Sequence, residues 1–571
     1  MYKKPSLAKY FLLLNFLIGC LTTSAEDGEP VRGSYQAMDY GSVIAETISA
    51  PWPEDNLTLK GLSIRLDHDA SMVFDTGLMR WSSGNLGGWI DLSRASHMSF
   101  KGSHPPEVEG ESIFGTAPAP GWAWDGSFED VREHEGTNPP REWMLWHGLY
   151  HYGDRVVLAY RIGETEILES PAAIEVGGKV VLTRSLQTAG SGQELEHYVA
   201  QLQPDAQVEE VANFLRIEQD GGILALRVES EVEGVRFQVR EERVELFVPA
   251  HRESARTVLF IWNESEKQSL SPDALRKAFE EVDFDFETAL LGGPTRWEEE
   301  LETGFEFGEE EAAYVLDKVE LPFENPWGSW FRPSAFAFFE DGDRAAISTW
   351  NGDVWIVSGL LSDEGKVSWK RFATGLYYPM GMAIVDGIIH VTERSQLTRL
   401  HDLNGDGEAD FYESINNDGV LYPMAHSLCL EIDSEGNFYF FKNGNRVPDT
   451  VPEHGALIRV SADGRERTVI ASGIRGANGL GIGPDGLMLG TDQEGNWVPT
   501  TRVDALREGG YYGFPRHNPM GRIEGDYDLP VTWIPHGVDS SSGAVTYVGD
   551  ERAGPIFGNW VVASYGRAVL L

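Results

Sequence analysis

Cysteine is nearly absent. Only Cys20 and Cys429 carry a thiol among 571 residues. An internal disulfide framework is excluded if Cys20 is removed or modified on export. The Cys-x-x-Cys-His sequence that anchors a c-type haem does not occur, so this chain carries no haem of that kind. Positive charge is scarce as well: 46 Lys and Arg stand against 90 Asp and Glu, a formal charge of −44. Such a field repels phosphate backbones and anionic lipid, which excludes nucleic acid as a partner and favours neutral or cationic ligands. After the first 25 residues no run approaches the roughly 18 apolar residues of a spanning helix, so no membrane span is expected. A nucleophile elbow, a phosphate-binding Gly-Lys loop and zinc-ligand spacing are all missing.

The composition that remains is that of a folded protein, 41% hydrophobic and 11% aromatic. The length exceeds what one core supports, so two or three domains are expected. Residues 1–25 read as an export signal: Lys3 and Lys4 precede the short apolar run from Phe11 to Ile18. Two processing sites compete. Thr23-Ser24-Ala25 offers small residues for ordinary cleavage, and Leu17-Ile18-Gly19-Cys20 offers a lipobox that would leave a lipid anchor on Cys20. Either one predicts an exported protein, periplasmic or extracellular.

Residues 26–35 form a polar tether, and 36–264 read as a β-sandwich-like domain. Its strands include Leu62–Leu66, Ser71–Asp75, Arg155–Tyr160, Gly222–Val228 and Arg243–Val248, apolar blocks or alternations between turn residues. Residues 265–320 read as a linker. Ser271-Pro272 opens a short helix with Ser271 as its cap, and an acidic, solvated connector follows from Trp297 to Glu311.

From 321 to 571 a unit repeats. Short apolar strands open near Pro333, Pro379, His426, Asn478 and Ser542, each followed by a Gly-containing hairpin turn, at intervals of about 45 to 65 residues. This is the spacing of β-propeller blades. Five starts are visible, and the fifth runs to Leu571. The expected fold is therefore all-β: a sandwich-like domain ahead of an incomplete propeller, six-bladed when whole.

One segment has calcium-loop spacing. Asp402, Asn404, Asp406, the Glu408 carbonyl, Asp410 and Glu413 stand where a twelve-residue loop places its oxygen ligands, with Gly407 at the sharp turn. Leu397–Leu400 before it reads as a strand, so a Ca²⁺ turn between strands is expected rather than a helix-loop-helix sensor.

Gly473-Ile474-Arg475-Gly476-Ala477-Asn478-Gly479-Leu480, then Tyr511-Tyr512-Gly513-Phe514-Pro515, then Trp533-Ile534-Pro535 and Ser541-Ser542-Gly543, occur in that order. In this order they resemble the glucose/sorbosone dehydrogenase family of β-propellers, as found in large exported bacterial dehydrogenase chains with an N-terminal β domain. The resemblance implies a pyrroloquinoline quinone cofactor in the central funnel, held by Arg475 and Asn478, and a sugar or alcohol substrate. It implies that His426 is the base, although His426-Ser427-Leu428-Cys429 replaces the family's usual His-Asn-Gly-Gly. Related chains continue into a haem-c domain, so such a domain is expected in a continuation past Leu571. The competing reading is a non-catalytic propeller that binds a glycan or a protein.

Overall fold

The computed structural model describes residues 38–95, 105–211, 213–264, 270–281, 284–309, 314–423, 425–445, 447–448, 450–493, 500–514, 525–539 and 541–571. The expected export signal with Cys20, the tether 26–35, and Pro515 lie outside the described residues. The described residues fall into two compact units, one of 40–296 with 400–417, the other of 38–39, 297–399 and 418–571. Both are almost entirely β.

In the first unit one sheet runs in the order Ile90–Asp91, Glu107–Val108, Val43–Ala50, Asn56–Leu66, Ala70–Asp75, Arg80–Leu86, Glu111–Gly115. A longer sheet includes Thr165–Val176 between Arg155–Ile162 and Lys179–Thr188, with Ala255–Glu264 beyond. The two sheets share a core in which the Phe74 ring meets Trp81, Trp146 and Tyr160 at 5.1, 5.8 and 5.7 Å. A fully buried ion pair crosses it: Arg184 Nε donates to Glu169 Oε1 at 2.6 Å. Trp81 Nε1 and Tyr160 OH also donate to Glu169, at 2.8 and 2.7 Å, so the carboxylate is not left with unmet lone pairs. His197 Nδ1 bonds Gly121 O at 2.7 Å, and Nε2 meets Arg184 Nη2 at 2.7 Å. A carbonyl only accepts and a guanidinium only donates, so the ring is neutral, and burial with the nearby Arg184 holds its pKa well below 6.5.

Two segments differ from the sequence expectation. Within the acidic connector, Leu301–Glu306 forms a strand antiparallel to Lys366–Ala373, with Leu301 opposite Trp369. Phe305 is buried there against a cluster that includes Trp355 and Trp369, and this apolar alternation outweighs the surrounding glutamates. The acidic loop near 402–413, expected within the propeller, belongs to the first unit. Phe411–Asn416 pairs with Met144–Tyr152, and Phe411 stacks on Tyr150 at 4.0 Å. The helix Pro272–Glu281 forms as expected, with Ala274 N donating to Ser271 Oγ at 3.2 Å.

The second unit is built on the repeat. Its sheets open on Pro333–Phe338, Gly381–Val385, Ser427–Ile432, Ala477–Ile482 and Ser542–Tyr547. One hydrogen bond recurs in four of the five. The residue that follows the second strand donates its N–H to the carbonyl just before the first: Trp350 to Arg332 at 3.0 Å, Asn443 to His426 at 3.0 Å, Gln493 to Gly476 at 3.2 Å and Tyr565 to Ser541 at 2.8 Å. These four bonds align their repeats residue by residue, whereas in the second repeat the bond is displaced, Arg394 N donating to Tyr377 O at 3.0 Å. Successive first strands lie side by side, with Cys429 N donating to Met380 O at 3.2 Å, and the second strand of one sheet also bonds the first strand of the next: Thr392 Oγ1 donates to Cys429 O at 3.2 Å and Thr491 Oγ1 to Gly543 O at 2.9 Å. Gly381 and Gly479 make that approach possible. A Cβ on Gly381 would lie 2.1 Å from Cys429 O, and one on Gly479 would lie 2.3 Å from Gly543 O. First strands set side by side and sheets following in chain order make this unit a β-propeller.

Candidate functional site

The recurring bond brings the mouths of the first strands, and the residues after the second strands, to one end of the propeller. Around the first three sheets they assemble a cluster of rings and guanidinium groups. The Arg332 guanidinium lies 4.0 Å over the Trp350 ring and 5.1 Å from Trp330. Trp350 sits 6.0 Å from His426, and Tyr378 meets His426 edge-on at 6.3 Å. Arg394 lies 4.2 Å over Tyr378, donates Nη1 to Pro423 O at 2.7 Å and places Nη2 3.2 Å from both ring nitrogens of His426.

Electrostatics set the state of His426. Burial first, and then the positive charge of Arg394, hold its pKa well below 6.5. The imidazole is therefore neutral at neutral pH. Glu393, beside Arg394, is buried, accepts from Tyr377 N and from Thr398 Oγ1, and fixes the strand mouth on which Tyr378 sits.

Arg475 and Asn478 occupy the corresponding mouth of the fourth sheet. Asp492 accepts from Arg475 N at 2.9 Å and from Gly476 N at 2.7 Å. Burial raises the Asp492 pKa against those two bonds. Arg475 Nη1 donates to Gln493 O at 3.1 Å, and Asn478 Nδ2 donates to Ser542 O at 3.1 Å. The segment 443–445 bridges the two expected residues: Asn443 N donates to His426 O, while Gly444 N and Asn445 N donate to Arg475 O. His426 and Arg475 thus stand at neighbouring strand mouths and are joined through backbone.

Sequence reading missed Arg332, Trp350, Tyr378 and Arg394. For two of them the signal was present in the repeat: aligned on the matching bonds, Arg332 shares a position with His426, and Trp350 shares another with Asn443.

The acidic loop is folded tightly on itself. Asp402 accepts from Gly405 N, Asp406 N and Gly407 N at 2.7, 3.2 and 3.0 Å. Asn404 Oδ1 accepts from Asp406 N at 3.0 Å, and Asp406 Oδ1 from Glu408 N at 2.9 Å. Asp410 accepts from Leu403 N and Gly293 N at 2.8 and 2.9 Å, and burial raises its pKa. One expected side-chain ligand turns elsewhere: Glu413 meets His401 Nε2 at 2.7 Å. The Glu408 carboxylate, whose carbonyl rather than side chain was the expected ligand, accepts from Arg296 N at 2.9 Å. Among the described residues no three His, Cys, Asp or Glu side chains are grouped to hold a metal ion. Among the described residues, likewise, no helix is long and apolar enough to cross a membrane.

Residues 72–169, within the first unit, match a domain of unknown function (DUF6797). No curated protein sequence matches the chain. Among solved structures, the chain is similar to the PQQ-bound aldose sugar dehydrogenase of Streptomyces coelicolor, at 15% identity and TM-score 0.31, over 41% of this chain and 74% of that one. It is similar to the PQQ domain of pyranose dehydrogenase from Coprinopsis cinerea, at 11% identity and TM-score 0.33, over 42% and 73%. It is also similar to hydrazine synthase of Kuenenia stuttgartiensis, at 14% identity and TM-score 0.27, over 42% and 82%.

Proposed function

We propose that the propeller unit belongs to an exported, quinone-dependent dehydrogenase acting on sugars or other alcohols. The observation that carries this reading is the neutral His426, flanked by Arg394 at 3.2 Å and walled by Trp350 and Tyr378. A neutral imidazole can take the hydroxyl proton of an alcohol, and aromatic walls suit the apolar face of a sugar ring. Burial, and then the charge of Arg394, keep the resting imidazole unprotonated.

Arg475 and Asn478 fit a cofactor-holding role by position. They share one strand mouth beside that of His426, Asn478 is exposed, and Arg475 uses one N–H on Gln493 O. Pyrroloquinoline quinone, when bound, supplies the acceptor for the hydride leaving the alcohol carbon. A fixed guanidinium is suited to its carboxylate and quinone oxygens. The Asp402–Glu413 loop belongs to the same reading as a Ca²⁺ site. So does export, with cleavage after Ala25 or lipidation of Cys20.

A second reading has one observation in its favour. Arg475 Nη1 holds the Gln493 carbonyl, which is the work of a loop-fixing arginine, and a glycan-binding rim without catalysis needs nothing more. Replacing His426 by Ala separates the two. Loss of an effective base lowers the oxidation rate by about 10²–10⁴ while sugar binding persists, whereas a binding rim shows no oxidation to lose.

A further inference from the structure

Arg394 Nη2 lies 3.2 Å from both ring nitrogens of His426. A donor equidistant from the two cannot lie in the ring plane, because the Cε1–H group stands between them there. The guanidinium therefore rests on the face of the imidazole. The ring makes its own hydrogen bonds in its plane, one through each nitrogen. Among the described residues no other group bonds either nitrogen, so both in-plane positions are open. His426 is half-buried, and a ligand can reach it.

Three contacts hold Arg394 in that pose. Its backbone N donates to Tyr377 O at 3.0 Å, its Nη1 donates to Pro423 O at 2.7 Å, and its guanidinium lies 4.2 Å over the Tyr378 ring. Tyr378 keeps φ at 48°, a conformation that a bulky residue adopts only where its surroundings enforce it. Arg394 is 3% exposed, so water screens its charge little.

We infer that Arg394 is a positioning residue for His426: it clamps the imidazole by its face and so reserves both ring nitrogens for the hydroxyl of an incoming alcohol. The inference rests on the dehydrogenase reading of this site. The same geometry has an electrostatic consequence. A proton on His426 would set two like charges in contact. The other groups around the ring do not offset that repulsion. Trp350 and Tyr378 bring rings, Arg332 is a second cation 4.0 Å over Trp350, and Glu393 turns its carboxylate to Tyr377 N and Thr398 Oγ1. Arg394 thus sets how far into acid the site keeps its neutral imidazole.

The test reads His426 itself and needs no turnover. In the full chain labelled with ¹³C-histidine, the His426 signal is the one missing from His426→Gln. The wild-type ring should stay neutral well below pH 6.5, and a midpoint near 6.5 overturns the inference without any variant. Arg394→Gln should raise the midpoint by about one pH unit or more, and Arg394→Lys, which keeps the charge, should restore most of the wild-type value. Unchanged thermal unfolding shows that the variants fold. A midpoint unmoved in Arg394→Gln overturns the inference, as does Arg394→Lys titrating where Arg394→Gln does. If the protein oxidises sugars, the acid limb of kcat/KM should move with the same midpoint, and a limb that stays in place overturns the role in the reaction. Titrations as expected in a protein that reduces no dye leave the clamp standing and refute the dehydrogenase reading alone.

Discussion

Replacing Glu431 by Gln should stabilise the protein above neutral pH and not in acid. Glu431 lies half-buried on the innermost strand Ser427–Ile432, opposite Tyr439. Burial raises its pKa from 4.5 to about 7. The folded protein therefore holds this proton through a range in which the unfolded chain has released it. Stability contributed at this site is full below pH 4.5, falls as pH rises towards 7, and stays low above. At about 1.4 kcal/mol per pH unit, that interval corresponds to ~3 kcal/mol. Partial exposure of the group brings the expected gain to about 1–3 kcal/mol. Gln keeps the shape and removes the charge. Urea unfolding followed by tryptophan fluorescence at pH 8 should show the variant more stable by that amount, and at pH 4 the two proteins should agree closely. An equal effect at both pH values, or destabilisation at pH 8, refutes the assignment of a strained carboxylate to this strand.

Gly479→Ala should destabilise the propeller by about 1–3 kcal/mol, because its Cβ would collide with Gly543 O of the next first strand at 2.3 Å; a thermal unfolding transition unchanged from wild type contradicts the close approach. If the acidic loop takes Ca²⁺, added calcium should stabilise the protein by about 2.7 kcal/mol at a hundredfold excess over Kd, and Asp406→Ala should abolish the gain. Insensitivity of the melting temperature to both chelator and the substitution leaves the loop a self-bonded turn. Mass spectrometry of the mature protein from its native cell should find cleavage after Ala25 or a lipidated Cys20, and an intact Met1 refutes export.

The strand mouths were legible in sequence because each pairs an apolar alternation with a turn rich in Gly and Asp. Local chemistry of that kind survives folding. His426 and Arg475 stood out for the same reason, since both lie at those mouths. Tyr378, Trp350 and Arg394 did not, because their roles come from ring contacts between residues far apart in the chain. The loop 402–413 shows both sides. The bonds from Asp402, Asn404 and Asp406 follow from spacing, whereas the stacking of Phe411 on Tyr150 is a long-range choice. Leu301 and Phe305 were hidden among glutamates, although only their alternation mattered to the Trp369 cluster.

The most direct test of the functional account is reconstitution. The chain, with whatever continuation its gene encodes, is incubated with pyrroloquinoline quinone and Ca²⁺, and dye reduction is followed with a panel of sugars and alcohols. The account predicts quinone binding by absorbance, sugar-dependent reduction, and a loss of about 10²–10⁴ in rate on His426→Ala. Saturable sugar binding without quinone binding or dye reduction contradicts it and makes the rim a glycan-binding surface.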